Sequence, residues 1–169
     1  MRLAPALGFI DKISLWSGKV MSYLLFPLIA VLVYGVVARY AFGSPIIWGH
    51  ETSMFMFGAI GLLAGAYCFQ RGAHVRMDMF YNRLSPRRKA VVDALTAAIF
   101  FYFIVVLMWQ GAQFALHSIA KLEHSGSVWK PVVYPFKTVI PVAAFLVLLQ
   151  GFAKFIRDLT FAIYGKPLS

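Results

Sequence analysis

Four long apolar stretches, separated by clusters of charge, dominate the pattern of this chain. Asp, Glu, Lys and Arg are absent from 20–38, 52–70 and 94–120, and a shorter apolar run covers 138–153. A helix needs about 20 apolar residues to cross a bilayer, and a lone strand in lipid would leave its backbone groups unpaired. The runs do not alternate as barrel strands do. The pattern therefore predicts four transmembrane helices at about 20–38, 52–70, 94–115 and 138–156.

The segment ahead of the first span has a helical pattern of its own. Apolar side chains recur one turn apart, and three charged residues lie off that stripe: Phe9, Ile13, Trp16 and Val20 against Asp11, Lys12 and Lys19. The pattern predicts an amphipathic helix over about 4–19 in the membrane interface; the alternative is that it extends the first span by two turns. The first apolar run is too long for a signal peptide, so we expect a retained span.

The positive charges predict the orientation of the chain. Twelve of its 16 Lys and Arg residues fall in the N-terminal segment, the second connection and the C-terminal end, and four fall in the first and third connections. Because cytoplasmic loops carry an excess of Lys and Arg, both termini are expected in the cytoplasm. The basic cluster before the third span is a candidate for contact with anionic lipid headgroups: Arg83, Arg87, Arg88 and Lys89.

Composition changes the picture in two ways. Only 13% of the 169 residues are charged and 61% are apolar, too little polar surface for a water-exposed globule. The net charge of +10 would suggest nucleic acid in a soluble protein, but here membrane topology explains it. One cysteine, Cys68, excludes an intramolecular disulfide. We expect a single transmembrane domain over 1–169.

Prolines and glycines suggest the finer structure. Pro27 predicts a kink in the first span, and residues 128–135 are expected to be extended because residues before proline avoid the helical region. Pro141 is placed near the start of the fourth helix. Gly61 and Gly65 form a GxxxG pair, which serves either packing within the chain or contact with a partner helix.

The polar residues offer little chemistry. No ionisable side chain lies at the middle of a span, where one would mark a functional site, and no nucleophile–base pair or phosphate loop is present, so no enzyme activity and no cofactor or metal are expected. Arg39 and Glu51 flank the first outer connection and can pair. Two alternatives stay open: a haem-binding redox anchor using the four histidines, and a stand-alone small multidrug-type exporter with Glu51 as its carboxylate.

One ordered set of residues resembles a known family. The hairpin 39–43 (Arg-Tyr-Ala-Phe-Gly) is followed by Trp48, Glu51 and Gly61, then by a basic loop and a proline-rich run into the last helix: His74, Asp78, Pro131, Pro135 and Pro141. Over roughly 16–155 this resembles the small membrane subunit of tripartite ATP-independent periplasmic (TRAP) transporters, the DctQ-like family. One departure is Gly49-His50, where the family pattern has apolar or small residues.

The resemblance implies a role and partners. It implies a non-catalytic scaffold in the bacterial inner membrane that braces a large multi-spanning transport subunit, with a periplasmic binding protein delivering organic acid anions and a sodium gradient driving uptake. Candidates for contact with the large subunit are Gly61, Gly65, Phe100 and Phe103. Candidates for the periplasmic face, where the binding protein would dock, are Arg39, Trp48, Glu51, Lys121 and Lys130.

Overall fold

Among the described residues, the fold consists of four long α-helices. The structure, a computed structural model, describes the backbone of residues 4–71 and 86–164 and the side chains of 7–71 and 96–157. The helices are α1 (Ala4–Ala41), α2 (Gly49–Gln70), α3 (Pro86–Ala120) and α4 (Tyr134–Tyr164). Each contains a segment long and apolar enough to cross a membrane: Leu7–Ala41, Gly49–Gln70, Thr96–Ala120 and Tyr134–Arg157. The predicted all-α membrane protein with four spans is confirmed.

Residues 4–19 are helical, as predicted, but they continue into the first span as one helix, α1. The alternative of a helical extension therefore describes this segment better than a separate interfacial helix. The reason lies in its packing. Ser14 and Ser17 are buried against neighbouring helices, whereas Phe9 and Trp16 are 65% and 68% exposed. Two small polar side chains thus point into the protein, and the outward side of the helix carries large apolar side chains together with two exposed lysines.

Two of the prolines lie inside helices. α1 continues through Pro27 without ending. α4 begins at Tyr134, four residues before the predicted start of the span, and it contains Pro141 as well. Pro135 occupies the first turn of α4, where its missing N–H has no helical partner to lose. The hydroxyl of Thr138 donates a hydrogen bond to the carbonyl of Pro135 (2.6 Å). The expectation that 128–135 is extended is wrong, because Lys130 has a φ angle of 48° and the last two of these residues are helical.

The helices form a layer in the order α1, α2, α4, α3. The most extensive contacts join α3 to α4, α1 to α2 and α2 to α4, and α1 meets α4 over a smaller area. The end of the layer that carries the starts of α1 and α3 is called the inner end, and the opposite end is called the outer end. Because α1 and α3 flank the layer, each of them has a broad face that no other described helix covers.

The core is thin and depends on close approach. Ile104, Ala144 and Leu148 are buried between α3 and α4. Phe100 lies where a side chain on Gly151 would be, since an added Cβ at Gly151 would come within 2.5 Å of the Phe100 ring. Most large apolar side chains on the flanking helices remain exposed, among them Phe26, Ile29, Val33, Tyr102, Phe103 and Trp109. In a membrane protein such faces contact lipid or another subunit.

Candidate functional site

A cluster of polar side chains joins three helices at the inner end. Asp11 of α1 forms an ion pair with Arg157 of α4 and accepts a hydrogen bond from the amide of Gln150 (2.9 Å). Ser14 donates to the other end of the Gln150 amide (3.1 Å). The Gln70 amide of α2 donates to the backbone carbonyl of Asp11 (3.3 Å). These five residues are called the inner polar cluster.

The centre of the inner polar cluster is buried, and its charge pair lies at a partly exposed edge. Gln150 and Ser14 are each 1% exposed, and the Gln70 side-chain oxygen is buried without a hydrogen-bond partner in the described part of the chain. A buried polar group must find a partner or lose its hydration without compensation. The cluster therefore fixes which face of α1 points towards α2 and α4.

The sequence pattern does not predict this cluster. Gln70 and Gln150 are not ionisable, because amides carry no charge, and the helical pattern places Asp11 on the polar side of an interfacial helix. The available signal was the position of Gln150 in an apolar run, since an amide in a span needs a partner on another helix.

A second polar contact orders the outer end. Glu51, in the first turn of α2, accepts hydrogen bonds from the hydroxyls of Ser125 and Ser127 (2.8 Å for Ser127). The Ser127 hydroxyl in turn accepts a hydrogen bond from the backbone N–H of Lys130 (3.2 Å). A carboxylate in the first turn also suits the positive end of the helix dipole. Glu51 with these two serines is called the outer clasp, and it ties the connection between α3 and α4 to α2.

The connection held by the outer clasp is a small hairpin over residues 121–133. The N–H of Val133 donates to the carbonyl of Glu123 (3.0 Å), and the N–H of Ser125 donates to that of Pro131 (2.9 Å). Two non-glycine residues at its ends, Leu122 and Lys130, adopt positive φ angles of 45° and 48°. Such angles are uncommon outside glycine and persist where surrounding contacts enforce them.

A salt bridge fastens the base of this hairpin. Lys137 pairs with Glu123, and its ammonium also lies 4.0 Å from the centre of the Phe114 ring. Glu123 lies in the connection between α3 and α4, outside the spans. The hydrogen bond from Lys137 lowers the pKa of its carboxyl below the ordinary value of 4.5. The carboxylate therefore stays ionised at every pH near neutrality.

The expected pairing of Arg39 with Glu51 is not present. Glu51 binds the two serines of the outer clasp instead, and the described ion pairs are Lys137–Glu123 and Arg157–Asp11. Arg39 is exposed at the end of α1. The hairpin between α1 and α2 is held by ring contact, since Tyr34 and Trp48 stack with centroids 6.1 Å apart, and by the N–H of Ser44, which donates to the carbonyl of Ala38 (3.0 Å).

The predicted contact residues for a large subunit divide into two groups. Gly61 faces open space, and Phe103 is 62% exposed on α3. Gly65 lies against Val147 of α4, where an added Cβ would meet it at 3.5 Å. Phe100 stacks on Phe69 with centroids 5.0 Å apart. Gly61 and Phe103 are thus free to meet a partner, whereas Gly65 and Phe100 pack within this chain.

The remaining candidate residues lie at the outer end or outside the described part of the chain. Lys121 and Lys130 are exposed at the outer end. Arg83 lies outside the described residues, and so do the side chains of the rest of its basic cluster, Arg87, Arg88 and Lys89. His50, His117 and His124 lie at the outer end, and His74 lies outside the described residues. Among the described side chains, no group of three or more His, Cys, Asp or Glu residues is placed to hold a metal ion.

The two polar contacts lie at opposite edges of a bilayer-sized slab. From Asp11 to Tyr34, α1 advances 23 residues, about 35 Å at 1.5 Å per residue. From Trp48 to Gln70, α2 advances 22 residues, about 33 Å. The hydrocarbon core of a bilayer is about 30 Å thick. The inner polar cluster therefore belongs to one interface and the outer clasp to the other, with an apolar layer between them.

Comparison with known proteins identifies the family. The family model described as "Tripartite ATP-independent periplasmic transporters, DctQ component" matches residues 28–161. The chain belongs to the DctQ family. It is thus a membrane component of a tripartite transporter, and it is a multi-pass protein of the inner membrane. The resemblance found in the sequence is confirmed.

One curated relative gives a further comparison. The chain is 20% identical over 142 residues to the sialic acid TRAP transporter permease protein SiaT of Haemophilus influenzae (strain 86-028NP). The match covers 84% of this chain and 22% of the relative. The chain therefore spans about a fifth of the length of the curated relative it matches.

Proposed function

We propose that this chain is the non-catalytic small permease subunit that braces the large transport subunit of a sodium-driven TRAP transporter for organic acid anions. One observation carries the proposal: the four helices form a layer whose polar contacts lie at its two ends, while the described part of the membrane interior offers apolar and aromatic faces. A layer of this kind supplies a rigid apolar surface to another membrane protein. It supplies no charged group at mid-depth to carry an ion or an acid.

The curated relative supports the division of labour. SiaT is named as a permease, and this chain matches about a fifth of it. The remaining length of SiaT leaves room for a transport domain, which supports a bracing role for the part of SiaT that this chain matches. The named cargo of SiaT is an acid, which supports organic acid anions as the substrate class for the complex containing this chain.

The outer end carries the residues that we propose as a docking surface for a periplasmic binding protein. With both termini in the cytoplasm, as the distribution of Lys and Arg predicts, the outer clasp faces the periplasm. The hairpin it holds presents exposed Lys121 and Lys130, and Arg39 and Trp48 lie at the neighbouring hairpin. These residues with Glu51 form the candidate docking surface.

Purification of the tagged chain from its native membrane in mild detergent tests the bracing role. We expect a large multi-spanning subunit to co-purify at one to one, and replacement of Gly61 by Leu or of Phe103 by Ala to lower complex yield and acid uptake together. The smaller change Gly61→Ala serves as the matched control, because it adds one methyl group in open space. Recovery of the chain alone as a stable homo-oligomer that transports a substrate would overturn the proposal.

A further inference from the structure

The face of α1 opposite the inner polar cluster carries two lysines around a tryptophan. Lys12, Trp16 and Lys19 follow one another at spacings of four and three residues, so they share one side of the helix. All three are exposed, Trp16 by 68%. These three residues are called the α1 stripe.

The orientation of the α1 stripe is fixed by packing on the other side of the helix. Ser14 and Asp11 are held by Gln150 and Arg157 of α4. Gly18 lies directly against the ring of Tyr67, since an added Cβ would come within 2.6 Å of it. Rotation of α1 would break the hydrogen bonds and bring side chains into this close contact. The stripe is therefore held on the outside of the layer.

No described side chain balances the charge of the α1 stripe. Neither lysine has a carboxylate partner among the described residues. The nearest acid in sequence, Asp11, is occupied by Arg157 and Gln150. Two positive charges next to an exposed indole therefore face the surroundings of the protein.

The depth of the α1 stripe matches the lipid headgroups of the inner end. Lys12 follows Asp11, which lies at that interface. Lys19 is seven residues further along, about 11 Å at 1.5 Å per residue, and its aliphatic stem allows the ammonium to reach back towards the interface. Trp16 lies between them, in the zone where tryptophan is enriched in membrane proteins.

We infer that the α1 stripe is a binding site for an anionic phospholipid. The two ammonium groups bind the phosphate of the headgroup, and the indole of Trp16 lies beside the glycerol and the upper acyl chain. Charge complementarity selects an anionic lipid over a zwitterionic one, whose headgroup carries a compensating positive charge.

Quenching of Trp16 fluorescence by brominated lipids tests this inference. In the full chain, Trp48, Trp109 and Trp129 are replaced by Phe, so that Trp16 is the single tryptophan. The protein is reconstituted into phosphatidylcholine vesicles that contain the same fraction of brominated phosphatidylglycerol or brominated phosphatidylcholine. We expect brominated phosphatidylglycerol to quench Trp16 more strongly than brominated phosphatidylcholine does. Each lysine should raise the affinity for phosphatidylglycerol relative to phosphatidylcholine by at most about fivefold.

The controls distinguish a site from a general attraction of the protein for anionic lipid. In Lys12→Gln/Lys19→Gln, the relative affinity should fall to about one, whereas Lys121→Gln/Lys130→Gln at the outer end should leave it unchanged. Circular dichroism of each variant checks that the helices are intact. Equal quenching by the two lipids, or selectivity that persists without the two lysines, would refute the inference. Loss of selectivity on addition of inorganic phosphate would identify a site for soluble anions and would also refute it.

Discussion

Ser14 and Gln150 lie 136 residues apart in the chain and form a buried hydrogen bond of 3.1 Å. Each side chain is 1% exposed. The Gln150 amide uses both of its ends, accepting from Ser14 and donating to Asp11 (2.9 Å). This contact joins the first helix to the last, and it provides the most direct test of the inner polar cluster.

Replacement of Gln150 by Ala should destabilise the subunit by about 1–3 kcal/mol, because it leaves the buried Ser14 hydroxyl without its acceptor and the partly exposed Asp11 with one donor fewer. A double-mutant cycle with Ser14→Ala should give a coupling of about 0.6 kcal/mol, the typical value for hydrogen bonds between helices in membranes. Unfolding in mixed micelles with increasing SDS measures both quantities. Gln113→Ala, on the exposed side of α3, is the matched control and should change little. A coupling of zero would mean that the buried contact contributes nothing to stability.

Close packing at Gly151 gives a second prediction. An added Cβ there would come within 2.5 Å of Phe100, and Phe100 cannot move freely because it stacks on Phe69 and meets Phe101 edge to face. Gly151→Ala should therefore destabilise the subunit by about 1–3 kcal/mol. Gly61→Ala, in open space, should be neutral or stabilising by up to about 1 kcal/mol, since Ala is the better helix former. Thermal unfolding in detergent compares the two, and equal melting temperatures would contradict the packing described at Gly151.

The sequence alone does not predict these packing and polar contacts. Four spans followed from run length alone, because the bilayer fixes how many apolar residues a helix needs. The family resemblance followed from the order of short motifs around Trp48 and Glu51. The continuity of α1 did not follow, because a pattern with one polar face suits both a helix on the membrane surface and a helix that buries polar groups inside a bundle.

The sequence also does not predict which side chains contact each other within the fold. Arg39 and Glu51 have opposite charges near one short connection, so pairing was expected, yet Ser125 and Ser127 reach Glu51 from 74 and 76 residues away. Local spacing gives no information about such distant donors. Similarly, a GxxxG pattern gives no information about which glycine meets its own chain, and the structure places Gly65 against α4 while Gly61 stays open.

Substitutions that break the outer clasp should have non-additive effects on the hairpin 121–133. Glu51→Ala should release the hairpin 121–133 and increase hydrogen exchange at the N–H groups of Ser125 and Val133. Ser125→Ala/Ser127→Ala should have the same effect, because it removes the two donors to the same carboxylate. The triple variant should be no looser than either, since a single contact is lost in each case. His50→Ala, an exposed neighbour in the same turn, is the control. Full additivity would show that the carboxylate and the hydroxyls act separately.

The salt bridge of Glu123 with Lys137 predicts how acid affects the same hairpin. Because Lys137 lowers the pKa of Glu123 below 4.5, the carboxyl binds a proton less readily in the folded hairpin than in the unfolded one. The stabilisation is therefore fully present above about pH 4.5 and is lost as the pH falls through the lowered pKa. Emission of Trp129, in a chain whose other tryptophans are Phe, should be constant from about pH 8 to 5 and change below that range.

Two substitutions show which carboxyl group causes the acid transition of Trp129. In Glu123→Gln the hairpin should already be looser at neutral pH, and the acid transition of Trp129 should be absent. Glu51→Gln removes the other acidic group in contact with this hairpin and leaves the Glu123–Lys137 pair in place, so its acid transition should remain. An acid transition that survives in Glu123→Gln and disappears in Glu51→Gln would assign the pH response to the outer clasp. The salt bridge would then have no part in holding the hairpin near the start of α4.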